Sequence, residues 1–419
     1  MTSKKQRKVP ELRFRGFTDD WEQRKLGDFY DFKNGLNKGK QSFGKGTPIV
    51  NFTDVFHNRH LYAAGLIGRV TLTDKEIKNF EVQRGDLFFT RTSETIEEIG
   101  YPAVMMDAPT NTTFSGFVLR GRAIQNDPVV NSFKAYVFFT EKFRQEMMKK
   151  SSMTTRALTS GTALKKMLFS FPKSTKEQEA VGDFMHLLDR TIALHQRKQS
   201  LLKKLKQGYL QKLFPQKGQR QPELRFPGFT DDWEQRKLAE TASEFIGGGT
   251  PSTSVNEFWT GEIPWIQSSN LAENVVDRVA IDKKISANAI LKTAAKKISS
   301  NSIAVVTRVG VGKLAFIPFE YATSQDFLSF SKLKVSPWFL VYLLSEKLAK
   351  WGNETQGTSI KGITKKELLS KKVLMPSDSM EEQAVGELLK KLDSTIALHQ
   401  QEIDRLQQLK QGYLQKMFV

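Results

Sequence analysis

Apolar residues recur at alternating spacings of four and three through two long stretches of this chain. The first stretch runs Val181, Met185, Leu188, Ile192, His195, Gln199, Leu202, Lys206, Tyr209, Leu213. The second runs Val385, Leu389, Leu392, Ile396, His399, Ile403, Leu406, Lys410, Tyr413, Met417. Few positions break either series, so each stretch predicts a long helix with a coiled-coil seam. Ser174/Thr175 followed by Glu177/Gln178, and Ser379 followed by Glu382, are capping-box patterns that mark the starts. Pro172 and Pro376 sit just before them, and Pro215 closes the first helix. At 1.5 Å per residue such a helix spans roughly 55 Å. Neither is apolar all round, so each needs a partner. The simplest partner is the other helix, antiparallel in the same chain; a homodimeric coiled coil is the second arrangement the pattern allows. The packing positions are then Val181, Leu188, Ile192, Leu202 and Tyr209 against Val385, Leu392, Ile396, Leu406 and Tyr413.

The segments between read differently. Asp86–Thr90, Ser302–Thr307 and Leu314–Ile317 are short apolar runs of the strand type. Phe133–Lys149 and Trp338–Trp351 carry amphipathic helical patterns, while Gly247–Gly249, Asn301, Gly310 and Gly312 mark turns. The class is therefore α+β, with two mixed segments alternating with two long helices.

The chain also repeats itself. Pro10–Leu26 (PELRFRGFTDDWEQRKL) returns as Pro222–Leu238, changed only at Arg15 against Pro227. Asp189–Gln196 returns as Asp393–Gln400 with one change, and Lys206–Lys212 returns as Lys410–Lys416 unchanged. The mixed interiors, Phe32–Pro172 and Phe245–Pro376, share little. A duplicated frame around two divergent inserts describes one scaffold with two unlike readers. Trp21/Trp233 and Phe17/Phe229 in the repeated arms are expected to anchor each arm on a core. The cyclic order of the repeats places Phe418 where Pro10 would begin the next unit, so the chain ends are expected to meet.

Composition narrows the partners. Across 419 residues, 64 Lys+Arg stand against 45 Asp+Glu, a net charge of +19. That excess favours polyanions, nucleic acid before an anionic membrane or an acidic protein. With no cysteine, disulfides, thiolate nucleophiles and Cys-based zinc sites are excluded. No run of about 18 apolar residues spans a membrane. The basic N-terminus lacks the apolar core of a secretory signal, so a cytoplasmic location is expected.

Catalytic motifs are sparse. Gly310-Val311-Gly312-Lys313 is followed by Leu314 and lacks the spacing of a phosphate loop. Gly247-Gly248-Gly249-Thr250 and Asn126-Asp127-Pro128-Val129 read as turns. Five histidines without metal-binding spacing give no metalloenzyme signature; His195 and His399 read as polar seam residues that set register. Glu94, Glu97 and Glu98 form a solvated acidic face.

Several segments resemble a known family. Gly248-Gly249-Thr250-Pro251-Ser252, then Trp259-Thr260-Gly261 and Ile263-Pro264-Trp265-Ile266, resemble the opening of a target recognition domain. That domain belongs to the specificity subunit of type I restriction-modification enzymes. Thr323–Phe327, Gly357-Thr358-Ser359-Ile360, Met375-Pro376, Glu382-Gln383 and Leu392–Ile396 continue the resemblance. In the first half it rests on Gly161-Thr162, Phe171-Pro172, Glu177-Gln178 and Leu188–Ile192; no Gly-Gly-Thr-Pro follows Leu26.

The resemblance implies two DNA-reading domains separated by an antiparallel pair of long coiled-coil helices with pseudo-twofold symmetry. The divisions are then 1–172 for the first domain, 173–214 for the first helix, 215–376 for a linker and the second domain, and 377–419 for the second helix. Each domain would read half of a bipartite duplex DNA target, while the helices set the spacing and dock two methyltransferase subunits. Two restriction-motor subunits would complete the complex. S-adenosylmethionine, ATP and Mg would serve those partners; this chain would hold no cofactor or metal, and no membrane would be involved.

Lys and Arg supply salt-dependent phosphate affinity, and Arg, Asn, Gln, Ser and Thr reach base edges. The first-domain candidates are Lys38, Lys40, Lys45, Asn58, Arg59, Arg91, Thr92, Ser93, Thr155 and Arg156. The second-domain candidates are Thr250, Ser252, Thr253, Ser268, Asn270, Arg308, Lys313, Ser324, Gln325, Gln356, Thr358 and Lys361. Two competing readings are a basic coiled-coil adaptor for protein or membrane, and a self-contained DNA enzyme. Sequence-selective, salt-dependent duplex binding separates the first from a DNA reader, and turnover by the chain alone would favour the second.

Overall fold

The computed structural model describes residues 9–354 and 362–419. Both long helices form: α1 is Thr175–Lys212 and α2 is Ser379–Lys416, each 38 residues. Their caps differ from the expected boxes. At α1 the Ser174 hydroxyl accepts from the Glu177 amide at 3.4 Å, but the Glu177 carboxylate turns away to Arg13 and Trp21. At α2 the cap is Asp378, whose Oδ1 accepts from the Met380 amide at 2.8 Å, so Ser379 is already helical. An anionic cap is the better match to the positive end of a helix.

Two compact units share these helices. The first comprises Met1–His195 with Glu402–Val419, the second Gln196–Gln401. In the first unit Phe184 meets Tyr413 edge-on at 5.0 Å, and Lys410 pairs with Asp189. In the second, Gln199 Nε2 donates to Gln400 Oε1 at 2.8 Å and Lys206 to Asp393 at 2.7 Å. Partners descend along α2 as they ascend along α1, so the helices run antiparallel within each unit. Polar groups hold these contacts where the heptad series was interrupted, at Gln199, Lys206 and Lys410. Val181 and Val385 lie instead in the cores of the mixed domains, with Met185 and Leu389.

The first unit contains strands β1 (Glu22–Lys25), β2 (Tyr30–Asn34), β3 (Phe43–Val50), β4 (Arg69–Val70), β5 (Leu87–Thr90), β6 (Pro102–Met105), β7 (Thr113–Phe114), β8 (Val118–Ala123) and β9 (Leu168–Phe171). Its main sheet runs β2-β8-β5-β6, with His60–Leu61 on the β6 edge. β3 pairs antiparallel with β4 and parallel with β7, and β1 pairs with β9. The second unit contains β10 (Glu234–Lys237), β11 (Ala242–Gly247), β12 (Ile263–Ile266), β13 (Lys284–Ile285), β14 (Ser302–Val306), β15 (Leu314–Ile317), β16 (Ala322–Thr323), β17 (Phe327–Leu333) and β18 (Lys372–Met375). Its main sheet runs β11-β17-β14-β15; β12 pairs antiparallel with β13 and parallel with β16, and β10 pairs with β18. The divergent interiors therefore have one topology.

Apolar runs rather than alternating patterns mark the central strands because both sheet faces are covered. Leu87 and Phe89 face one core cluster and Phe88 another; Ile303 and Val305 face one, Ala304 and Val306 another. The helix expected over Phe133–Lys149 is two helices, Asn131–Val137 and Glu141–Lys150. Thr140 breaks it: its hydroxyl donates to the Val137 carbonyl at 3.1 Å and accepts from the Phe143 amide, capping the second helix. The second unit keeps one helix there, Pro337–Glu354. Gly182 and Gly386 let α1 and α2 pass against these helices, since an added Cβ would lie 2.5 Å from the Phe133 amide or 2.6 Å from that of Phe339.

Candidate functional site

A repeated clamp fixes each mixed domain to a long helix. Arg13 Nε and Nη2 donate to the two oxygens of Glu177 at 2.6 and 2.8 Å, and Trp21 Nε1 donates to Oε1 at 3.1 Å. Arg225 likewise donates to both oxygens of Glu381 at 2.7 and 2.8 Å, and Trp233 Nε1 donates to its Oε2 at 3.2 Å. Bidentate, charge-assisted geometry makes such a clamp directional. The arm continues onto a helix end: the Leu12 amide donates to Lys416 O at 2.8 Å, and that of Leu224 to Lys212 O at 2.9 Å. The first arm thus meets the end of α2, with Trp21 against Phe418 as Trp233 lies against Phe214. Both tryptophans are buried, as expected of anchors. Phe14 and Phe226 pack on the cores, and Phe17 and Phe229 do not.

A second carboxylate stands beside each helix pair. Asp393 accepts from Lys206 and from the Tyr342 hydroxyl, both at 2.7 Å. Asp189 accepts from Lys410, from Tyr136 at 2.8 Å and from Arg59 at 3.2 Å. Burial pushes the Asp189 carboxyl up, yet Lys410 and Arg59 more than offset this and hold it below the usual range. Burial, helped by Arg59, draws the Lys410 ammonium down. Burial also raises the Tyr136 and Tyr342 phenols. Burial next to His186 lowers His60 to about 4. Among the described residues no group of three or more His, Asp or Glu side chains could hold a metal ion.

Above each frame, the main sheet presents one platform. The amide of Arg91, after β5, donates to Phe117 O, and Thr159 N donates to Arg91 O. In the second unit Thr307 N donates to Asp326 O, and Ile363 N donates to Thr307 O. Glycines permit the tight approach below: an added Cβ would lie 2.1 Å from Ser115 O at Gly35 and 2.0 Å from Ser324 O at Gly248. Gly35 thus stands where the first half lacks the Gly-Gly-Thr-Pro form.

The predicted residues fall into two groups. Arg91, Thr92, Ser93, Thr155 and Arg156 come together, because Ala157–Leu158 pairs with both Thr92–Ser93 and Ser152–Met153. Arg308 and Gln325 share a cleft with Gly247, Gly248 and Lys365, and Thr250 donates to Gln325 Oε1 at 2.5 Å. Lys40, Lys45, Asn58, Thr155, Arg156, Ser252, Thr253, Arg308 and Gln325 are exposed. Others hold the platform. Asn270 is buried and bonds Asp282 and the Gln267 amide; Ser93 is buried on Glu98, and Ser324 is buried on Asp326. Lys38 pairs with Glu76 at 2.5 Å. Arg59 lies 3.9 Å over the Phe139 ring besides pairing with Asp189. Lys313 closes a turn with Gly310, and Ser268 opens the short helix Ser268–Asn270. Gln356, Thr358, Lys361 and the segment 357–360 lie outside the described residues.

The model of the type I restriction modification DNA specificity domain matches twice, at residues 18–204 and 230–408. The chain belongs to this family. It is a type I restriction-modification specificity subunit with two recognition domains, and its work is recognition rather than catalysis. It is similar, at 24% identity over 412 residues, to a putative type I restriction enzyme MjaX specificity subunit of Methanocaldococcus jannaschii, covering 94% of this chain and 91% of that one. It is 31% identical over 174 residues to the EcoR124I/EcoR124II specificity subunit of Escherichia coli, covering 38% and 41% of the two chains. The fold resembles the S subunit of a type I system from M. genitalium, with TM-score 0.63, 12% identity and coverage of 98% and 99%. A structure described as the basis of assembly and conformational transition of the type I system matches at TM-score 0.53 and 16% identity, covering 95% and 97%. No helix among the described residues is long and apolar enough to cross a membrane.

Proposed function

We propose that each unit of this specificity subunit reads one half of a bipartite duplex DNA sequence. The observation that carries this reading is a repeated frame, with the Arg-Trp-Glu clamp and the Lys-Tyr-Asp contact in both units, under one platform whose exposed residues differ. Arg156 and Thr155 stand on one platform, Arg308 and Gln325 on the other. A partner with two similarly shaped but chemically unlike sites suits that arrangement, and two half-sites of DNA are such a partner. Exposed Lys40, Lys45 and Arg156 serve phosphate and Arg308 and Gln325 serve bases, while Asn270, Ser93, Ser324, Arg59 and Arg91 hold the platforms in position. The domains run from 1–172 and 215–376, and the helices from 173–214 and 377–419 set the spacing.

The same helices dock two methyltransferase subunits, with two restriction-motor subunits joining them in the cytoplasm. S-adenosylmethionine, ATP and Mg are used there. The experiment is sequence mapping of new methyladenine in a methylation-free host that expresses this chain with its methyltransferase. A split motif around a fixed gap supports the proposal. Absence of any mark despite a stable complex of the two proteins overturns it.

A further inference from the structure

One side chain on the first platform has no counterpart among the expected readers. Phe117 is 53% exposed at the tip of the turn between β7 and β8. The turn is built as its equivalent is in the second unit. Val118 N donates to Ser115 O at 3.0 Å, and Phe117 N to Ser115 Oγ at 3.3 Å. Phe327 N donates to Ser324 O at 3.3 Å, and Asp326 N to Ser324 Oγ at 3.4 Å. The first turn exposes Phe117 and the second exposes Gln325.

We infer that this serine-capped turn is the base-contacting element common to both units, and that Phe117 reads a thymine 5-methyl group in the first half-site. The inference rests on the bipartite-reader proposal above.

Three observations support it. The turn is rigid by construction: Arg91 N donates to Phe117 O at 2.9 Å, and Arg91 Nη1 donates to Gly116 O at 3.2 Å. A group held this firmly can select among bases without a large loss of conformational freedom on binding. Phe117 also does no packing work that explains it, since it joins none of the core clusters while its successor Val118 is fully buried. A large ring left half in water on an over-determined turn gains from a surface brought to it.

The third observation is chemical. A phenyl ring has no donor or acceptor, so hydrogen-bond patterns in the groove are invisible to it; the methyl of thymine is the apolar mark a duplex offers in the major groove. Leu158 (40% exposed) sits across the strand pair from Thr92, and basic Arg156 lies two residues before it. In the second turn the backbone place of Phe117 is taken by Asp326, and the exposed side chain is that of Gln325, one position earlier; its amide suits adenine, so the two half-sites are read by different chemistry on one turn.

The test uses the chain complexed with its methyltransferase and a duplex carrying the mapped motif. Each thymine of the half-site assigned to the first unit is replaced in turn by deoxyuridine, which removes only the methyl. At one position the wild-type complex should weaken by about fourfold, the equivalent of one methyl-sized group. Phe117→Ala should bind the two duplexes alike. Unchanged discrimination in the other half-site shows that the variant is folded. The inference fails if no thymine of that half-site responds, if the half-site has none, or if Phe117→Ala still discriminates. If the wild-type complex shows no bipartite preference at all, both the inference and the proposal beneath it fail.

Discussion

Replacing Asp393 by Ala should destabilise the second unit selectively. The carboxylate is 8% exposed and joins three elements: α2, which carries it, α1 through Lys206, and the domain helix through Tyr342. Lys206 is 9% exposed and Tyr342 is fully buried, so Ala leaves an ammonium without its counter-charge and a phenol without its acceptor. Breaking one side of a buried pair typically costs about 3–5 kcal/mol. The lysine has a flexible stem that can seek water, so the lower end, about 3 kcal/mol, applies here. Five of the six tryptophans (Trp233, Trp259, Trp265, Trp338 and Trp351) lie in the second unit. Urea unfolding of the full chain followed by tryptophan fluorescence therefore reports chiefly on that unit. With a slope of about 2 kcal/mol per molar urea, the midpoint falls by roughly 1.5 M. Asp189→Ala, the matching change in the first unit, should leave this transition in place. Lys206→Met combined with Asp393→Leu should recover part of the loss, because replacing both partners leaves no stranded charge, while the Tyr342 hydroxyl still lacks its acceptor. A shift under roughly 0.5 M for Asp393→Ala, against the slope used above, would refute the idea that this carboxylate holds the unit together.

Three further outcomes follow from the same contacts. His60 titrates near 4 when folded against an ordinary 6.5, so between those values the unfolded chain binds the extra proton. The stabilisation is complete above pH 6.5 and is lost on acidification toward 4, by about 3 kcal/mol at the limit; His60→Leu should flatten this acid sensitivity, measured by hydrogen exchange in the first unit. Exchanging segment 239–376 for another family member's insert should change one half-site only, as read by methylation mapping; a change in both would end the modular account. A seven-residue insertion in α1 near Gln199 must be matched opposite Gln400, because the two amides bond each other. The matched pair of insertions should lengthen the gap between half-sites, and an unchanged gap in an active complex would rule out the helices as the ruler.

Much of the frame was legible because it is periodic or repeated. The heptad series marked α1 and α2, and the duplicated arm predicted the Trp21 and Trp233 anchors. Leu314–Ile317 was legible as a strand because a short apolar run follows the turn formers Gly310 and Gly312. What escaped notice lies in long-range pairing. Trp21 and Glu177 are 156 residues apart, and nothing local shows that the second residue of an apparent capping box will be taken by an arginine and an indole. The shared topology of the interiors was equally hidden, because strand register and two close-packed glycines carry it while side chains vary. Thr140 inside an otherwise helical pattern was a readable break signal, since a threonine can cap a new helix as readily as continue an old one. The candidate site was legible by residue type and less so by exposure: Asn270 and Ser324 are types that read bases, yet both satisfy the protein's own turns. The exposure of Phe117 was not legible, because an aromatic residue between strands reads as core and only the turn geometry brings it to the surface.

In the proposed function, two unlike readers on one repeated frame recognise two half-sites of DNA. Single-molecule sequencing of genomic DNA from a methylation-free host expressing this chain with its methyltransferase tests it most directly. Methyladenine is expected in a split motif, two short defined halves around a gap of constant length. A continuous motif, or no mark although the two proteins form a stable complex, would contradict it.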